Sequence, residues 1–145
     1  MIAGTFNSPL FVKLKLNSPA HVTGEEGFVI YSGRVAGQKV TVIASEHSRG
    51  MLYGVFHFLR MLQTHQPIAK LSVASSPRTK IRILNHWDNL DRTVERGYAG
   101  FSLWDWHKLP DYVSPAYVDY ARANASIGKL PCSPSPNVPS SPVTA

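Results

Sequence analysis

The chain is short of cysteine, of acidic residues and of long apolar runs, and each shortage removes a class of protein. A single cysteine among 145 residues, Cys132, allows neither an internal disulfide framework nor a cysteine-based metal site. Its Pro/Ser-rich surroundings mark it as an exposed thiol. Nine Asp and Glu face 15 Lys and Arg, a formal charge of +6, and gathered cations would attract nucleic acid, anionic lipid or small anions. Here they are scattered. The tightest group, Arg78, Lys80 and Arg82, alternates along an expected strand and reads as a solvated face, so nucleic acid is not an expected partner. No run approaches the ~20 apolar residues that span a bilayer, so no membrane partner is expected. Met1 to Leu10 does not show the order of a secretory signal, and no compartment is assigned from it. The chain lacks His-Glu-x-x-His, a Walker loop, Gly-x-Gly-x-x-Gly and Gly-x-Ser-x-Gly. His47, His57, His65, His86 and His107 have no metal-ligand spacing, and no cofactor is expected.

What remains is a chain with enough apolar content, 43%, to bury a core. Leu10–Leu16 alternates and predicts a half-buried strand; Gly27–Tyr31 and Lys39–Ala44 predict two more, joined as a hairpin through Gly33–Gly37. From Glu46 to Gln63 the period changes. Leu52, Val55, Leu59 and Leu62 recur at spacings of three and four, which predicts a helix with Ser45 as N-cap and Glu46 in its first turn. Gly50 and Gly54 within it read as a close seat of the helix on its sheet. Leu71–Ala74 predicts a further strand. Residues 1–76 thus read as a small α+β domain, several strands with one helix across them.

Ser75-Ser76-Pro77 marks a boundary. Lys80–Leu84 predicts a strand, and more than twenty residues without period separate it from a helix over Pro115–Ile127, capped by Ser114 with Pro115 at its first position. Strand, long loop and helix make one βα unit, and a loop of that length inside a domain is usually functional. In a (β/α)₈ barrel the active site is built from such loops. Lys129–Ala145, with five prolines and four serines, predicts a disordered tail.

The long loop holds all three tryptophans, Trp87, Trp104 and Trp106. Indole faces stack on the C–H faces of sugar rings, and a few polar groups complete such sites. Trp104 and Trp106 read as anchors pinning the loop, whereas Trp87, at the mouth of the strand, is placed equally well for ligand contact. Asp88, Asp91, Glu95, Asp105 and Asp111 share the loop, but a glycosidase needs two opposed carboxyls, normally from different strands. Asp91–Arg92 and Glu95–Arg96 read as ion pairs or solvated charges. Asp88, beside Trp87, is the acid carried forward as a candidate, with Asn89 and Arg92 as weaker ones. His86 reads as a structural hydrogen-bonding residue, and the glycosylation-like Asn124-Ala125-Ser126 as an accident within a helix.

Arg-Ile-Leu-Asn-His-Trp-Asp-Asn-Leu-Asp-Arg-Thr-Val-Glu-Arg-Gly-Tyr-Ala-Gly (82–100), Ser-Leu-Trp-Asp-Trp (102–106), Leu-Pro-Asp-Tyr (109–112) and Tyr-Ala-Arg-Ala-Asn-Ala-Ser-Ile-Gly (120–128) together resemble glycoside hydrolase family 67, the α-glucuronidases. Leu-Tyr-Gly-Val-Phe-His-Phe-Leu-Arg (52–60) is similar to the N-terminal domain of that family. The resemblance implies an N-terminal α+β domain over 1–76, the start of a (β/α)₈ TIM-barrel catalytic domain over 77–128, and an unrelated tail over 129–145. It further implies inverting, metal-free removal of α-1,2-linked glucuronic acid, or its 4-O-methyl ether, from xylan-derived oligosaccharides. Glucuronoxylan fragments would be the partner, the intact enzyme would be a homodimer, and Trp87 would line the uronic-acid pocket. Because the catalytic carboxylates of the family lie on later barrel strands, none is expected in this chain, which reads as an inactive fragment. The alternative is a non-catalytic carbohydrate-binding module using the loop tryptophans. A barrel strand without neighbours would leave residues 80–128 loosely ordered.

Overall fold

In the computed structural model, residues 1–16 and 24–133 are described, those from 130 onward by backbone alone. The chain divides into two compact units, Met1–Lys80 and Ile81–Ala145.

The first unit is a four-stranded sheet, in the order β1-β3-β2-β4, with helices on both faces. Strands β2 (Phe28–Val35) and β3 (Gln38–Ser45) form an antiparallel hairpin with Val35 opposite Gln38. Its turn is Ala36-Gly37, both at positive φ (48° and 82°), the backbone that a tight two-residue hairpin requires. Strand β4 (Ser72–Ser75) pairs antiparallel with β2, and β1 (Ile2–Thr5) pairs parallel with β3. Sequence periodicity did not reveal β1, because four residues are too few to show an alternation.

The expected strand at Leu10–Leu16 is instead a helix, α1 (Pro9–Leu14). Ser8-Pro9 explains the difference: Pro9 presets φ at the first helical position, where a missing N–H costs nothing. One turn then points Phe11 at the sheet, where it packs with Val29, Tyr31, Val42 and Ala44. The apolar alternation around it reflects one buried anchor on an otherwise exposed helix.

Helix α2 (Ser48–Gln63) covers the other face. Its N-cap is His47; Ser45, the expected cap, ends β3 fully buried. The Ser45 hydroxyl donates to the Gly27 carbonyl (2.6 Å) and accepts from the His47 amide (3.2 Å), so it ties two loops together. The helical period is as expected, but the buried face is not. Gly50, Tyr53, Gly54, Phe58 and Met61 face the sheet, while Leu52 and Leu59 are 42% and 44% exposed. The close seat expected of Gly50 and Gly54 is present. A β-carbon on Gly50 would sit 2.3 Å from the Gly27 carbonyl oxygen, and one on Gly54 would sit 2.9 Å from Ile43.

In the second unit, β5 (Ile83–Asn85) leads through a long loop to α3 (Pro115–Ser126) and then to β6 (Leu130–Ser133), which pairs parallel with β5. Ser114 caps α3 as expected, accepting from the Ala116 amide. Two expectations are corrected. Arg78, Lys80 and Arg82 do not share a strand, since β5 begins at Ile83; the Arg82 Nε instead donates to the Gly128 carbonyl at 2.8 Å. The disorder expected from Lys129 onward does not hold for Leu130–Ser133, whose backbone supplies the neighbour that β5 was expected to lack. The side chain of Cys132 and the rest of the tail, 134–145, lie outside the described residues.

Gly50→Ala should destabilise the first unit by about 1–3 kcal/mol, because the added methyl meets a backbone oxygen that cannot turn aside. Leu59→Ala, on the exposed face, should stay within about 0.5 kcal/mol. Urea unfolding of both variants checks the pair. His57 rests against Phe28 with ring centroids 5.4 Å apart; burial, then the Arg60 charge, lowers its pKa below 6.5. The unfolded chain therefore binds the proton more readily, so the neutral ring contributes stability above pH 6.5 that is lost as pH falls through the lowered folded value. His57→Phe should flatten that part of the stability–pH curve, read from thermal midpoints between pH 5 and 8.

Candidate functional site

The loop between β5 and α3 is built on a knot of short-range hydrogen bonds. The Asn89 amide donates to the Thr93 carbonyl (2.8 Å) and the Glu95 amide to the Trp87 carbonyl (2.7 Å). The Asn89 side-chain nitrogen donates to Thr93 Oγ1 (2.9 Å) and to the Glu95 carbonyl (2.6 Å). Asp88 bridges to Val94, and Thr93 to Phe101, as isolated antiparallel pairs. Arg92 and Glu95 sit at positive φ (72° and 54°), as do Gly97 and Gly100. The Asp91 carboxylate accepts from the Thr93 hydroxyl and amide, which holds it below its ordinary pKa. Tyr98 donates to Glu95, and its own pKa is raised by that contact.

Two neighbouring residues face opposite ways at the start of this knot. Trp87 is 48% exposed, whereas Asp88 is 1% exposed. The Ser102 hydroxyl donates to Asp88 Oδ2 at 2.7 Å and accepts from the Trp104 amide at 2.9 Å. Asp88 thus ties the strand mouth to the far end of the loop.

A cluster of aromatic rings fixes that far end. Trp104 lies 4.6 Å from Tyr117, 5.7 Å from Tyr120, 5.9 Å from His86 and 6.0 Å from Trp106, measured between centroids. His86 Nε2 and the Tyr120 hydroxyl share a 2.6 Å hydrogen bond, the structural role expected of His86. The Tyr117 hydroxyl accepts from the Asp105 amide at 2.8 Å. Trp104 and Trp106 are therefore partly buried anchors, leaving Trp87 as the exposed tryptophan. Asn124, buried, donates to the Tyr120 carbonyl, which leaves its amide in the helix rather than on an open surface.

Of the two readings of Asp91–Arg92 and Glu95–Arg96, ion pairs or solvated charges, the ion pairs are not among the described ones. Arg92 reaches Asp105 at 3.4 Å, and Lys108 reaches the same oxygen at 3.0 Å. The hydrogen bond from Lys108, with the Arg92 charge behind it, keeps the Asp105 carboxyl below its usual value. Among the described residues, no group of three or more His, Cys, Asp or Glu could hold a metal ion. The described partners of Asp88, Asp91, Glu95 and Asp105 are hydroxyls, amides and cations. Ser102, Tyr117 and Tyr120 were missed in the sequence; the i, i+3, i+7 spacing of Tyr117, Tyr120 and Asn124 is the signal for the two tyrosines.

The comparisons with known proteins fall on this same chain in two consecutive blocks. Residues 1–58 match the glycosyl hydrolase family 67 N-terminus, and residues 61–134 match the glycosyl hydrolase family 67 middle domain. The chain belongs to glycosyl hydrolase family 67. It is 40% identical over 100 residues to alpha-glucuronidase A of Emericella nidulans, covering 65% of this chain and 12% of that protein. It is 36% identical over 106 residues to the probable alpha-glucuronidase A of Aspergillus oryzae, covering 72% and 12%. Against the probable alpha-glucuronidase A of Aspergillus fumigatus it is 41% identical over 66 residues, covering 46% and 8%. The chain thus spans roughly a tenth of the length of these relatives. The middle-domain match runs past Gly128 through β6, so the family likeness does not stop where the Pro/Ser composition begins.

Ser102→Ala should cost about 1–3 kcal/mol, the penalty of leaving the buried Asp88 carboxylate short of a donor. Amide exchange at Trp104 and Asn89 should accelerate together, whereas a change confined to residue 102 would show that the Asp88 tie does not hold the loop.

Proposed function

We propose that this chain is part of an α-glucuronidase that removes glucuronic acid, or its 4-O-methyl ether, from xylan-derived oligosaccharides. The observation that supports it is the pair of family matches, over 1–58 and 61–134, together with alpha-glucuronidase relatives at 36–41% identity. In this reading residues 1–76 are the N-terminal domain and the barrel begins at 77. The parallel β5–α3–β6 succession is the arrangement that a (β/α)₈ barrel repeats, which supports placing it at the start of one.

Trp87 is the residue proposed to contact sugar. Its exposed indole offers a flat apolar wall, while Asp88, Asn89 and Arg92 hold the loop that presents it. Catalysis by inversion needs an acid and a base far enough apart to admit water between them, and those carboxylates belong to later barrel strands of the intact enzyme. The homodimer expected of the intact enzyme belongs to the same proposal. The carbohydrate-binding alternative loses two of its three tryptophans to the aromatic cluster and would rest on Trp87 alone.

Titration of the chain with an aldouronic oligosaccharide should shift tryptophan fluorescence saturably, and Trp87→Ala should abolish the shift. No glucuronic acid should be released. An unchanged signal in the wild-type chain would sink the assignment of Trp87, and hydrolysis by this chain would sink the placement of the carboxylates elsewhere.

A further inference from the structure

The net charge of the chain is confined to one of its two units. Residues 1–80 carry nine Lys and Arg against three Glu, and residues 81–145 carry six against six, so the whole +6 lies in the first unit. Two of its three acids, Glu25 and Glu26, lie at 3.7 and 3.4 Å from Arg49. Glu46 is the one further acid in the sequence of the first unit.

Three of the first unit's cations converge. A groove of about 620 Å³, within the usual size of ligand sites, opens at the hairpin end of the sheet and is lined by Ser32, Arg34, Lys39, Thr41, Ile68 and Lys70 among others. No Asp or Glu lines it. Arg34 and Lys39 are direct cross-strand partners, and so are Ser32 and Thr41, which puts all four side chains on one face. Like charges placed opposite each other destabilise a strand pair, and none of the described ion pairs relieves this one. The Arg34 Nη1 donates to the Gly37 carbonyl at 3.3 Å, which steadies the guanidinium and uses one of its five donors. The opposite wall is fixed as well: the Ser32 hydroxyl accepts from the Leu71 amide at 2.8 Å and reaches the Ala69 carbonyl at 3.5 Å, so Ile68–Lys70 is pinned to β2.

We infer that this groove binds the carboxylate groups of an acidic polysaccharide, holding a uronate-bearing chain against the N-terminal unit. A planar guanidinium flanked by two ammonium groups suits a carboxylate, which Arg can engage in a bidentate manner. The choice of a uronate polymer over other polyanions rests on the α-glucuronidase reading above, while the capture of an anion rests on the groove alone.

Affinity electrophoresis of the whole chain through glucuronoxylan tests it, with carboxyl-reduced xylan as the uncharged counterpart. Retardation is expected in glucuronoxylan and not in the reduced polymer. Lys39→Glu with Lys70→Glu should weaken it at least tenfold, and Lys39→Gln with Lys70→Gln should fall between, with unchanged circular dichroism. Lys13→Glu with Arg78→Glu, the same charge change outside the groove, should retain it. The inference is overturned by absent retardation, by equal retardation in the reduced polymer, or by equal loss in both charge-reversed pairs. It is also overturned if a DNA oligonucleotide competes as well as a glucuronoxylan fragment. The Trp87 titration reads the other unit with a short oligosaccharide, so each reading can fail without the other.

Discussion

Two absent β-carbons set the geometry of the first unit. Gly50 and Gly54 let α2 approach β2 and β3 until a methyl group would overlap the Gly27 carbonyl and the Ile43 side chain. At 100° per residue, the line through Gly50 and Gly54 fixes every other position on the helix. Tyr53, Phe58 and Met61 then fall against the sheet, and Leu52, Leu59 and Leu62 turn away from it. The same close approach leaves Ser45 beside Gly27, where its hydroxyl serves the loops instead of capping the helix. The three leucines outside are thus a geometric result of the two glycines inside.

The second unit is held by different means, because its described part has a two-stranded parallel sheet and one substantial helix. Its loop is organised by polar side chains that act on backbone. Asn89 uses both donors of its amide, Asp91 turns the chain at Thr93, and Asp88 accepts from Ser102. Aromatic packing of Trp104 against Tyr117 and Tyr120 then attaches the loop to α3. Such a loop can hold left-handed residues at Arg92 and Glu95 because its hydrogen bonds over-determine the backbone there.

Much of this was legible where one signal dominated. The hairpin, the α2 period, the Ser114-Pro115 start of α3 and the two-glycine seat each follow from a local rule that packing does not oppose. Errors arose where two rules competed. At Leu10–Leu16 the alternation argued for a strand and Ser8-Pro9 for a helix start, and the proline prevailed because it acts on the backbone directly. At Leu52–Leu62 the largest aliphatic residues marked the period correctly but not the buried face, since burial went to the residues that the glycine contact selects. At Leu130–Ser133 a Pro/Ser composition argued for disorder, but the backbone next to β5 found a strand to pair with. Within the candidate site, Trp104 and Trp106 were legible as anchors of the loop, while the partner of Arg92 was not. Neighbours in sequence were paired by proximity, whereas Arg92 reaches thirteen positions along the chain to Asp105.

That last difference bears on how the Trp87-Asp88 pair is to be read. Adjacent residues in extended backbone point to opposite faces, so a sugar laid on Trp87 would not meet the carboxylate of Asp88. The buried acid does its work indirectly. With Oδ2 held by Ser102, and Ser102 in turn receiving the Trp104 amide, the backbone at 87–88 is tied to the aromatic cluster rather than left to fray. An indole held at a strand mouth loses little further freedom when a ligand stacks on it, and that saved ordering is what makes a fixed aromatic a better sugar wall than a mobile one. If Trp87 meets sugar as proposed, the division of the pair is between Asp88, which holds the backbone, and Trp87, which the backbone would present.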